Sequence, residues 1–204
     1  MAITSPFDNY GILIGTDWNS NQWKALPTEQ DLAQTNMENV KENGIMNTFT
    51  NFGHEIFPTD EFGYYWGMLP HQMTTKSDKD RIKDVKVALI RSVNWEDGQN
   101  YIIGIYAFAE FTKGRKTSPI PEIEGRLEMN VRALPSNIHL VKNFINLTTH
   151  TNMAKLLPAG KLTPKKNYSY MKKENVLRIL DELTTLNPDD TKLKSIKLKI
   201  LRSV

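Results

Sequence analysis

Four tryptophans carry most of the chemistry open to this chain: Trp18, Trp23, Trp66 and Trp95. Three lie in or beside stretches rich in turn formers, such as DWNSNQW and NWEDGQN. An indole at the rim of a turn either packs or offers a flat face to something flat. A base stacked on such a face gains roughly 1–3 kcal/mol. A slot of such faces also suits a methylated base turned out of a duplex. The competing use is closure of the ends of a barrel, and the sequence leaves both uses open. A second group is cationic. Lys113, Arg115, Lys116, Arg126 and Arg132 follow the hairpin that carries Trp95 and could hold phosphates beside a slot. As a solvated basic loop they would do nothing more.

Other chemistries are missing. Cysteine is absent, which removes disulfides, thiolate metal sites and thiol nucleophiles. There is no phosphate-binding G-x-x-x-x-G-K-[ST], because Gly160-Lys161 is followed by Leu162. There is no G-x-S-x-G elbow, and His54-Glu55 lacks the second histidine of a zinc helix. No Glu-x-Lys of a metal-dependent nuclease core occurs. His54, His71, His139 and His150 are scattered. The expectation is a non-enzyme with no metal and no cofactor.

The 204 residues suit one large domain, or one with appendages. A mean hydropathy of -0.47 and the lack of any long apolar run fit a chain outside the membrane, with the cytoplasm as the simplest compartment. The net charge of +3 is unevenly spread. Residues 1–154 hold 14 Lys/Arg against 18 Asp/Glu, whereas residues 155–204 hold 12 against 5. A basic end of this kind suits a phosphate backbone, and equally a solvated helix face.

The elements that must position these groups follow from local pattern. Tyr10–Thr16 reads as a short buried strand. Thr28 can cap a surface helix with Glu29 and Asp31 in its first turn and Gly44 past its end. Residues 45–66 read as strands and turns, and Met73–Asp84 as a loop. Val85–Val93 and Tyr101–Phe111 form a hairpin around Trp95. Lys113–Glu122 reads as a basic loop and Gly125–Leu134 as a half-buried strand. Ile138–Leu147 fits either a strand or a short helix. Lys173–Leu186 is the clearest helix, with Val176, Ile179, Leu180 and Leu183 on one face. The end, KLKSIKLKILRSV, fits strand and helix alike. The expected class is α+β, a small mixed β-barrel with peripheral helices.

The order of these pieces resembles the PUA-like superfamily, and within it the EVE and YTH branches, which read modified bases. ALIRSVN leads through WEDGQN into YIIGIYAFAEF, similar to the YTH pair of strands around a glycine turn. EGRLEMNVRALPSNIHLVKNFINL, KNYSYMKKENVLRIL and the opening YGILIGTDW occupy the family's later strand, final helix and first strand. The resemblance covers residues 10–18 and 62–183 and leaves 19–61 as an insertion. It implies a base site near Thr16, Asp17 and Trp18, with Trp66 beside Tyr65 as the first cage wall. Backbone groups near Thr16 and Asn94 would read the base edge. The family draws further aromatics from the loop after the hairpin, where KGRKTSPIPEI has none, so Trp95 or Trp18 stands as the substitute wall.

Related modules also serve as N-terminal specificity domains of modification-dependent restriction proteins of the McrB type. The resemblance therefore implies a targeting domain over residues 1–186. A basic segment or linker at 187–204 would then lead to a GTPase motor. The expected partner is DNA or RNA, methylated or plain, and no membrane. A PUA-like RNA binder without modified-base specificity and a protein–protein adaptor are the rival expectations.

Overall fold

β1 (Gly11–Thr16) is an interior strand of the large sheet, and its apolar run explains why. Ile12, Leu13 and Ile14 are all buried, so both faces of this strand are covered. A computed structural model describes residues 9–35, 40, 48–70, 80–117, 128–157, 160 and 167–203, and for residues 113–117, 128 and 150 the backbone alone. β1 lies between β3 (Val87–Val93), which runs parallel to it, and β8 (Tyr168–Met171), which runs antiparallel. β4 (Asn100–Ala107) and β7 (Ile138–Asn146) complete a five-stranded sheet in the order β7-β4-β3-β1-β8. A second sheet has the order β2-β6-β5, formed by Tyr65–Gly67, Glu128–Ala133 and Glu110–Thr117.

The helices are α1 (Glu29–Gln34), α2 (His150–Leu156), α3 (Lys173–Leu186) and α4 (Thr191–Arg202), four among the described residues. α2, α3 and α4 cover one face of the large sheet. Leu13, Val87 and Leu89 meet Val176, Ile179, Leu180 and Leu183 of α3 there, with Leu193, Ile196 and Ile200 of α4. Each such aliphatic, fully buried, stabilises the fold by about 1.5–3 kcal/mol. On the opposite face Ile12, Ile14, Ala88 and Ile90 pack with Tyr65, Val131 and Ala133 of the second sheet. Trp23 and Phe52 fill the space between. The stretch 19–61 therefore contributes Trp23 and Phe52 to the core.

The architecture is α+β with two sheets, and the expected small barrel is not closed. The reason lies at Phe108, whose φ of 52° breaks the run Tyr101–Phe111. β4 ends at Ala107, and the chain enters the second sheet as β5. Residues 113–117, expected in a loop, are strand, and 118–122 lie outside the described residues. Ile138–Asn146 resolves as a strand. The ambiguous end resolves as α4, capped by Asp190 through Leu193 N. Its Leu193, Ile196 and Ile200 are buried in the core. No helix among the described residues is long and apolar enough to cross a membrane.

Candidate functional site

β1 and β3 are the one parallel pair of the large sheet, in register from Gly11↔Val87 to Thr16↔Ser92. Their carboxyl ends therefore run out side by side. Beyond them the chain continues as Asp17 and Trp18 on one side and as Asn94 and Trp95 on the other. A cavity of about 430 Å³ opens at this edge, within the range of small-molecule and base pockets. Thr16, Asp17, Trp18, Arg91, Trp95 and Asn167 line it, and α1 closes one side with Asp31 and Gln34.

Each wall has a fixed position. Trp18 rests edge-on against Trp23, ring centroids 5.3 Å apart, and lies 6.2 Å from Phe144 and 6.3 Å from Tyr101. The fully buried Trp23 donates from Nε1 to the carbonyl of Asp17 at 2.9 Å, which pins the backbone where β1 ends. Trp95 donates from Nε1 to Asp31 Oδ1 at 2.9 Å. Asp31 is 1% exposed and also accepts from Ser20 N, Ser20 Oγ and Thr28 N. The capping box of Thr28 and Asp31 that starts α1 thus also holds an indole across the cavity. Burial alone would raise the Asp31 carboxyl, but the bonds from Trp95, Thr28 and Ser20 outweigh it and hold it below the ordinary carboxylate range.

The floor is polar. Arg91 Nη2 donates to Asn167 Oδ1 at 3.1 Å, and Asn167 is tied to Gly15 twice, through Nδ2 to Gly15 O and from Gly15 N to its own carbonyl, both at 2.8 Å. A Cβ at Gly15 would lie 2.1 Å from Asn167 Oδ1, so a larger residue here must push that side chain aside. No carboxylate of a described residue pairs with Arg91. Burial raises the Asp17 carboxyl, partly offset by a bond from its own backbone N–H.

The structure thus brings Thr16, Asp17, Trp18 and Trp95 to one cavity and places the other expected residues elsewhere. Tyr65 and Trp66 are 2% and 4% exposed in β2. Tyr65 OH donates to Thr50 O at 2.5 Å, and burial pushes that hydroxyl upward. Trp66 packs with Val40, Phe49 and Met129 and donates from Nε1 to Asp60 Oδ2 at 2.7 Å. Neither lines the cavity, because β2 is the edge of the second sheet and its side chains fill the core. Asn94 is consumed by its turn: its N–H donates to Gln99 O, its carbonyl accepts from Gly98 N, and its Oδ1 accepts from Glu96 N.

Among the expected phosphate ligands, Arg132 is paired with Glu110 at 2.7 Å and stacks on Tyr64 at 4.4 Å. Lys113, Arg115 and Lys116 lie on β5, described by backbone alone, and Arg126 lies outside the described residues. Sequence reasoning missed Asp31, Arg91 and Asn167 as site residues. Arg91 did leave a signal, a charge at an inward position of VALIRSV where Val87 and Leu89 face the core. No family model, no curated protein and no solved structure matches the chain.

Proposed function

We propose that this chain is a non-catalytic nucleic-acid binding domain that holds a flipped base, modified or plain, between Trp18 and Trp95. The observation that supports this most is that both line one cavity, each fixed in place and each only partly buried. Trp18 is seated by edge contacts, and Trp95 by its bond to Asp31. A rigid aromatic wall loses little entropy when a ring stacks on it. The basic balance of residues 155–204 supplies the long-range attraction for a strand. Within this reading the chain is a PUA-like domain and the targeting module of a modification-dependent restriction system. The unclosed pair of sheets is the feature that fits that narrower assignment least.

Fluorescence anisotropy tests the reading on duplex DNA, single-stranded DNA and RNA, each plain or methylated, at two salt concentrations. Binding that weakens with salt is expected, as phosphate contacts require. Trp18→Ala and Trp95→Ala should each weaken it by roughly 1–3 kcal/mol, the contribution of one stacked base. Trp66→Ala should leave the affinity of the folded protein unchanged. Binding that survives the loss of both cavity tryptophans would move the contact to the backbone alone. No binding at low salt would leave the protein–protein adaptor.

A further inference from the structure

Asp17, just past the end of β1, and Arg91 of β3 line the same cavity, yet no ion pair joins them. Arg91 gives one donor to Asn167, and that asparagine is held twice to Gly15 beside the guanidinium. The head group is therefore positioned, and its remaining N–H donors have no acceptor among the described residues. Asp17 has its carbonyl pinned by Trp23. Its carboxylate takes no side-chain bond from a described residue, only its own backbone N–H. Asp31, the other carboxylate at the cavity, is already saturated by Ser20, Thr28 and Trp95. The cavity thus offers a flat ring a set of donors from Arg91 and a set of acceptors from Asp17, with two indoles in its lining.

Two half-buried charges left apart cost free energy unless a ligand completes them. The ligand that completes this pair has two acceptors side by side for a guanidinium fork and two donors side by side for a carboxylate. Among the common bases, guanine alone has both. Its O6 and N7 accept along one edge, where a bidentate arginine is the commonest specific contact. Its N1–H and N2–H₂ donate along the next edge, matching the two oxygens of a carboxylate. Adenine and cytosine each offer one amino group beside ring acceptors, and uracil and thymine offer a single N–H between two carbonyls.

Resting on the base-binding reading above, we infer that the cavity selects guanine, with Arg91 reading O6 and N7 and Asp17 reading N1–H and N2–H₂. The two residues are specificity determinants and take no part in bond making. Bidentate discrimination of this kind corresponds to about tenfold or more in affinity per edge.

The test deletes atoms from the ligand before it deletes them from the protein. Short single strands carry one central guanine, inosine, 7-deazaguanine, adenine, cytosine or thymine. Free guanosine and adenosine form separate arms. Binding is read by anisotropy and by quenching of the tryptophan emission. Guanine should bind tightest, and inosine, lacking N2–H₂, about tenfold more weakly. In Asp17→Asn that gap should close. The strand with 7-deazaguanine, lacking N7, should lose a similar factor, and Arg91→Gln should erase that loss. The ligand series on the unaltered protein keeps the test valid even if a variant fails to fold. Equal binding of all strands, or a preference for another base, overturns the guanine assignment and leaves base binding standing. Quenching by guanosine with no strand affinity supports the ring assignment and overturns the nucleic-acid reading. No response to any strand or nucleoside overturns both.

Discussion

Two aromatic regions of this molecule look alike in sequence and serve opposite ends. At the edge of the small sheet, Tyr65 and Trp66 are buried, and each spends its polar atom on a neighbour, Thr50 or Asp60. At the carboxyl ends of β1 and β3, Trp18 and Trp95 are only half-buried and face a cavity. Trp95 also has a satisfied indole N–H, so hydrogen bonding does not separate the regions. What separates them is backing. The second sheet has the core on its inner side and fills it, whereas the parallel strands simply end and leave space beyond. An aromatic next to a turn becomes a wall only where the element it follows runs out.

The strongest way to break this contrast is a pair of truncations. Trp66→Ala should cost about 3–5 kcal/mol of stability, as large-to-small changes in a filled core do. Trp95→Ala should cost about 1.5–3 kcal/mol, because it gives up one hydrogen bond to a carboxylate and little packing. Urea midpoints of the two variants check this, and similar losses would erase the distinction between core and wall. Next in size, Asp31→Ala should cost about 2–4 kcal/mol by orphaning the donors of Ser20, Thr28 and Trp95. It should also release Trp95, seen as a change in near-ultraviolet circular dichroism. Gly15→Ala should cost about 1–3 kcal/mol, because the new methyl must displace Asn167. Its effect should appear on the cavity side, as weaker oligonucleotide binding.

The smallest effect is a difference in acid response. His54 sits against Tyr65, ring centroids 6.1 Å apart, and its Nε2 accepts from Lys192 Nζ at 2.9 Å. Burial, helped by Lys192, lowers its pKa to about 4. The unfolded chain then binds more protons than the folded one between pH 6.5 and about 4, so stability falls as pH drops through that window. The loss should be on the order of 1–2 kcal/mol. Asp31 is also held below its ordinary value, so its contribution is present above about pH 4 and is lost only below it. Acid should therefore weaken the filled side first and the cavity side later. Urea melts at pH 7, 5 and 3.5 measure this, and His54→Gln should flatten the first step.

Much of the fold was legible because its signals are local. The β3–β4 hairpin shows as two apolar runs around NWEDGQN, and α3 shows as four aliphatics at helical spacing that all proved buried. The Thr28 cap formed as its residue type required. The barrel was not legible as unclosed, because the switch between sheets depends on one left-handed residue, Phe108, in a run that reads as continuous strand. Half of the cavity could be named from the turns, since Trp18 and Trp95 flank the strand ends. The rest could not. Asp31 resembles any first-turn acid, and Asn167 lies 152 residues from the Gly15 it holds. Arg132 looked like a phosphate ligand until Glu110 was brought within 2.7 Å of it.

By itself, then, the sequence determined the α+β class, most element positions, the absence of thiol chemistry and the basic bias of the last fifty residues. These depend on residue type and on spacing along the chain. Only the tertiary structure decided which tryptophans are walls, which cations are already paired, and that Asp17 and Arg91 share a cavity without sharing a bond. Those are properties of side chains that meet across long stretches of chain. Their chemistry is set by what stands opposite, and no local pattern encodes that.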